Sequence, residues 1–66
     1  DKDAMLAVAD LVGKEGVAHT TLRPAGIAKI DGNLVDVVTE GDFIDAGSPI
    51  VVLRVVGGRN IVRKHD

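Results

Sequence analysis

The sequence contains no cysteine, tryptophan or tyrosine, and Phe43 is its only aromatic residue. Without cysteine there is no disulfide framework and no thiolate metal site. No apolar run approaches the ~18 residues of a membrane-spanning helix. At 66 residues the chain has room for one domain. A chain this short must make its core compact and regular, because small domains bury a modest share of their surface. The 45% hydrophobic content and net charge of −2 exclude an intrinsically disordered chain. The first residue is Asp1 rather than Met, which leads us to expect a piece of a longer protein; no signal-peptide pattern is visible.

What is present is Val, Ile, Leu and Ala, with eight glycines. β-Branched side chains pack well on a pleated sheet and lose freedom in helices. The expectation is an all-β barrel or sandwich of short strands and tight turns. Residues 1–12 read differently. Asp3 is placed to cap a short helix carrying Met5, Val8, Ala9 and Val12, and Gly13 would stop it. This segment is expected to be a linker or short helix, with Leu11 and Val12 packing on a domain over residues 13–66.

Five strands are expected. Val17–Leu22 alternates, with Ala18, Thr20 and Leu22 on one face. Pro24 and Gly26 make a break. Ile27–Ile30 and Leu34–Thr39 flank Asp31-Gly32, a two-residue hairpin signal because both residues tolerate positive φ. That turn places Lys29 opposite Leu34 and Ala28 opposite Val35. Ala28, Ile30, Val35 and Val37 then share the core face, and Lys29, Asp36, Ile27 and Leu34 the other. Glu40–Ser48 is a polar loop in which Phe43 and Ile44 are expected to act as an apolar anchor plugging one end of the barrel. Ile50–Val56 and Asn60–Lys64 form a second hairpin about Gly57-Gly58. Leu53 is expected opposite Val62 and Arg54 opposite Ile61. Val51, Leu53, Val55 and Val62 would be buried, and Arg54, Arg59 and Arg63 would gather around Ile61 on the outside.

Charge is segregated along the chain. Residues 31–45 carry Asp31, Asp36, Glu40, Asp42 and Asp45 with no base, while residues 54–64 carry Arg54, Arg59, Arg63 and Lys64 with no acid. Such blocks suit either a charge-complementary interface, a basic face turned to anionic lipid, or two solvated faces.

No catalytic constellation is legible. Ser48 precedes Pro49 in a turn, and a nucleophile needs a neighbouring base held by a third group. His19 falls in a strand and His65 at the chain end. No catalytic, cofactor or metal residue is expected, because the acidic loop matches no calcium-loop spacing and suits turn positions. A five-stranded barrel suggests the OB architecture, but nucleic-acid-binding OB barrels stack bases on aromatics in a basic groove. Here the lone aromatic sits in an acidic loop, so no nucleic-acid partner and no small-molecule substrate are expected.

Two family resemblances arise from these residues. The blocks Leu11-Val12-Gly13-Lys14-Glu15-Gly16, Thr21-Leu22-Arg23-Pro24-Ala25-Gly26 and Glu40-Gly41-Asp42-Phe43-Ile44-Asp45-Ala46-Gly47 resemble the C-terminal soluble domain of NfeD-like membrane proteins. Ile30-Asp31-Gly32, Asp36-Val37-Val38, Ser48-Pro49-Ile50-Val51-Val52, Gly57 and Ile61-Val62 continue the likeness, which spans roughly residues 11–63. The resemblance implies a five-stranded OB-fold-like β-barrel with an N-terminal tether to absent transmembrane helices, on the cytoplasmic side. It implies a non-enzymatic protein-interaction module whose partner is a stomatin-, prohibitin- or flotillin-type membrane protein. Longer members carry a ClpP-class serine protease upstream, so a regulatory role towards such a protease is an alternative.

The second resemblance is to biotinyl or lipoyl carrier domains, through Val38–Gly47 followed by Ile50-Val51. Those domains expose a modifiable Lys at a hairpin tip; here the tip is Asp31-Gly32, and Lys29 lies in the strand before it. A carrier barrel and a single-stranded nucleic-acid barrel stand as further alternatives. For the interaction module, the candidate surface is Arg54, Arg59, Ile61 and Arg63.

Overall fold

The structure, a computed structural model, describes residues 11–65. The helix expected around Met5 and Val8 lies outside the described residues. Among those described, every regular element is a strand: β1 (Glu15–Ala18), β2 (Ala25–Ile30), β3 (Asn33–Thr39), β4 (Pro49–Val56) and β5 (Arg59–Lys64). They close into a barrel in the order β1-β2-β3-β5-β4, with β4 returning to β1. All neighbours are antiparallel except β3 and β5, which run parallel.

The first hairpin follows its turn. Asp31 and Gly32 take φ of 53° and 79°, and their flanking pairs are Ile30–Asn33, Lys29–Leu34 and Ala28–Val35. Ala28, Ile30 and Val37 are buried, and Val35 packs against them. Closure adds Ala18, Leu22, Ile44, Ile50, Val52 and Val62 to one apolar core, with Leu11 packed on it. Val12, expected to pack beside Leu11, is half exposed.

Three strands depart from the expected pattern. β2 begins at Ala25 rather than Ile27, and Gly26, expected in a break, stands in the ladder opposite Val37. The other two departures are larger. β1 ends at Ala18 rather than Leu22. The amides of His19 and Thr20 both donate to the Ile27 carbonyl, at 2.8 and 3.1 Å, while Thr20 Oγ1 accepts from the Ile27 amide at 3.0 Å. This doubled contact bends the chain out of the ladder. Leu22 still reaches the core, as an isolated bridge to Ile44.

In the second hairpin Arg54 does oppose Ile61, but Val52 rather than Leu53 opposes Val62. Leu53 is the extra residue of a β-bulge, which moves one strand on by a residue and inverts its parity. The inward residues of β4 are consequently Ile50 and Val52. Val51, Leu53 and Val55, expected to be buried, are only half-buried.

Candidate interaction surface

The parallel pairing of β3 with β5 builds the outer surface that carries the candidate residues. Val37–Thr39 pair with Asn60–Val62, so Val38 stands beside Ile61. On its other edge β5 meets β4, with Arg54 across from Ile61 and Val56 across from Arg59. Because side chains alternate along a strand, Arg59, Ile61 and Arg63 project from one face of β5. The fold therefore gathers Arg54, Arg59 and Arg63 around a half-buried Ile61.

The three arginines are not electrostatically equal. Arg54 Nη2 lies 2.8 Å from Glu40 Oε2, so the acidic segment and the basic hairpin touch at this point. Lys14 similarly meets Asp31 at 2.8 Å. Among the described residues, Arg59 and Arg63 make no ion pair with a carboxylate. The positive character of the face accordingly rests on Arg59 and Arg63, with Lys64 following.

Beside Arg59 lies a groove of about 470 Å³. Ala25 and Ile27 of β2, Asp36–Val38 of β3, and Gly58-Arg59 at the second turn line it. Its volume falls within the ~300–1,000 Å³ of small-ligand clefts. Beneath this region Asn60 is buried; its Nδ2 donates to the Asp36 carbonyl at 3.1 Å, and its Oδ1 has no partner among the described residues. The groove is not legible in the sequence, because its walls come from three separated segments. The one available signal was the mixed outer face of the first hairpin, where Ile27 stood among charges.

The expected anchor divides into two fates. Ile44 is buried, with its amide donating to the Leu22 carbonyl at 3.0 Å and its carbonyl accepting from the Leu22 amide at 2.8 Å. Phe43, expected to plug the barrel with it, is instead 73% exposed. Strand alternation explains the split: fixing Ile44 inward at the bridge to Leu22 turns its neighbour outward. The remaining chemistry-bearing residues stay apart. Ser48 is half-buried in its turn, His19 is exposed at the bend after β1, and His65 Nε2 lies 3.3 Å from Glu15 Oε2. Among the described residues no group of three His, Asp or Glu side chains is placed to hold a metal ion.

Residues 8–64 match the family model of the NfeD-like C-terminal, partner-binding domain. The membrane protein NfeD1b of Bacillus subtilis (strain 168) is 44% identical over 55 residues, covering 83% of this chain and 13% of that protein. The chain thus corresponds to a small part of that relative's length. Among solved structures, the C-terminal domain of stomatin operon partner protein 1510-C from Pyrococcus horikoshii superposes with a TM-score of 0.81 at 24% identity, covering 86% of this chain and 91% of that one. The soluble domain of a Corynebacterium glutamicum membrane protein implicated in regulation of membrane protease activity gives a TM-score of 0.78 at 19% identity, over 89% and 98%. At these identities the two structures establish the shared barrel fold.

Proposed function

The chain belongs to the family of NfeD-like C-terminal, partner-binding domains, and from that membership we propose that it docks a stomatin-, prohibitin- or flotillin-type membrane protein through Arg54, Arg59, Ile61 and Arg63. The observation that carries this reading is the half-buried Ile61 ringed by arginines, two of which have no carboxylate partner among the described residues. An apolar centre within a charged rim is the usual anatomy of a specific interface. The unpaired cations favour an acidic patch on the partner and speed the encounter. The stomatin class is suggested by the Pyrococcus horikoshii structure, which is described as a stomatin operon partner. In this reading the domain is held at the cytoplasmic face of a membrane by segments upstream, as the membrane-protein relative suggests. Among the described residues no helix is long and apolar enough to cross a membrane. The domain contributes binding rather than catalysis, and needs no cofactor.

The test is a pull-down of the stomatin-type protein encoded in the same genome. The double variant Arg59→Glu, Arg63→Glu is expected to weaken capture by about tenfold or more, since it turns attraction into repulsion at the rim. Both side chains are exposed, so the fold should survive. Undiminished capture by a folded double variant would remove the surface assignment.

A second reading has its own support. The Corynebacterium glutamicum structure belongs to a protein implicated in regulating membrane protease activity. In that reading the same surface positions a membrane-bound protease, of the ClpP class. Deleting the domain from a full-length protein that contains such a protease would then alter cleavage even when no stomatin-type protein is present.

A further inference from the structure

Phe43 and the groove beside Arg59 are complementary features of one molecule. We propose that the chain associates with itself, with the Phe43 loop of one copy seated in the groove of another. This goes beyond recognition of a different protein and shares only Arg59 with the surface assigned above.

The donor element is a presented aromatic, not a loose one. Phe43 is 73% exposed, yet the backbone on both sides of it is clamped. Before it, Thr39 Oγ1 accepts from the Gly41 amide at 3.1 Å and donates to the Asp42 carbonyl. After it, Ile44 exchanges both backbone hydrogen bonds with Leu22. A rigidly displayed aromatic loses little conformational freedom on binding, which is what makes preorganised contacts effective. Asp42 and Asp45 flank it, both exposed. The ligand on display is therefore an aromatic ring between carboxylates.

The acceptor has the matching chemistry. Ala25, Ile27 and Val38 give the groove apolar walls, and the small Ala25 leaves space at its mouth. Arg59 stands at the rim without an ion pair among the described residues, able to cover an aromatic face and to meet a flanking carboxylate. Arg63 lies further along the same face of β5, and Asp36 on the β3 wall is the one opposing charge. Asp36 favours an approach in which the incoming carboxylates stay on the Arg59 side.

The loop cannot serve its own groove. Ile44 is pinned in the core and Glu40 is held by Arg54, so both ends of the Phe43 segment are tied down. The groove lies where β5 enters its ladder with β3, and the loop follows the end at which β3 leaves it. Contact must be between copies, and it joins two different patches. Such a contact closes as a two-fold dimer where two copies exchange loops, and propagates into rings or filaments where each junction seats one loop.

The test is sedimentation and amide chemical-shift mapping of the 66-residue chain across a wide concentration range. The average mass should rise with concentration. Amides of Ala25, Ile27, Val38 and Arg59 should shift together with those of Asp42–Asp45. Phe43→Ala and Arg59→Glu should each weaken association by at least about tenfold, as loss of an interface anchor does. Mixing these two variants should restore association as a capped one-to-one dimer, because the first keeps its groove and the second keeps its loop. Ala25→Leu, which fills the groove from an exposed site, should act like Arg59→Glu. A mass independent of concentration, association that survives Phe43→Ala, or a mixture that fails to associate overturns the proposal. So does a groove that shifts with phosphatidylglycerol vesicles or an acidic peptide while the chain stays monomeric. Phe43→Ala leaves Arg54, Arg59, Ile61 and Arg63 in place, so capture of a stomatin-type partner should persist, and the two readings fail separately.

Discussion

At the scale of single residues, side-chain absence and side-chain shape do different jobs. Gly16 has no side chain because β2 leaves no room for one: a Cβ there would strike the Lys29 carbonyl oxygen and come within 2.7 Å of Ile30 Cγ1. Gly16→Ala is expected to force β1 away from β2 and lower the unfolding free energy by about 1–3 kcal/mol, the usual cost of overpacking. Urea denaturation measures this directly, and an unchanged midpoint would mean that the strands part freely. Thr39 is the opposite case, a buried hydroxyl with both of its roles used, towards Gly41 and towards Asp42. Thr39→Val keeps the shape and removes both bonds. Gly41 and Asp42 are exposed, so water can take over their freed amide and carbonyl, and the loss expected is the net worth of two ordinary hydrogen bonds, about 1–2 kcal/mol. Amide hydrogen exchange should also quicken at Gly41, whose amide loses its acceptor, while the core of β5 stays protected.

At the scale of elements, the difference between the two hairpins shows what a sequence can and cannot encode locally. Asp31-Gly32 defines a turn, alternation defines the faces, and the two agree, so register and burial of the first hairpin were legible together. In the second, Gly57-Gly58 also defines the turn, with φ of 56° and 79°, and the pairing of Arg54 with Ile61 was legible from it. Beyond that point Ile50 to Leu53 is uninterrupted apolar sequence, and a run without alternation carries no record of which residue is extra. The bulge at Leu53 is decided by closure of the barrel against β1, a long-range demand. The same holds for the end of β1, which is set by the Ile27 peptide rather than by its own residues. The groove was illegible for a related reason, since residues 25–27, 36–38 and 58–59 meet only after β3 and β5 pair. Deleting Leu53 checks the bulge assignment. Val52 would remain opposite Val62 and Arg54 opposite Ile61, so cross-strand nuclear Overhauser contacts should be preserved. Stability should fall by about 1–2 kcal/mol from the lost apolar area. Loss of the Arg54–Ile61 contact would show that Leu53 belongs to the regular ladder.

At the scale of the whole molecule, a net charge of −2 conceals an arrangement that folding partly cancels and partly leaves standing. The parallel β3–β5 ladder brings the acidic and basic segments side by side, and the Glu40–Arg54 contact neutralises one pair there. Both side chains of that pair are about half exposed, so the bridge adds at most about 1 kcal/mol to stability. Among the described residues the buried core is aliphatic apart from Thr39 and Asn60. Stability and recognition are therefore built from different forces: folding from apolar burial, docking from Arg59 and Arg63. Salt separates the two. Raising ionic strength from about 0.05 to 0.5 M shortens the Debye length from above 10 Å to below 8 Å. Association with an acidic partner should slow by about tenfold or more over that range, because electrostatic steering is screened. The urea midpoint of the isolated domain should move little, since no ion pair among the described residues is buried. Parallel stopped-flow and denaturation series at matched salt would measure both. A partner on-rate that ignores salt would place the contact on apolar surface instead, and would move the assignment from the arginines to Ile61 and its neighbours.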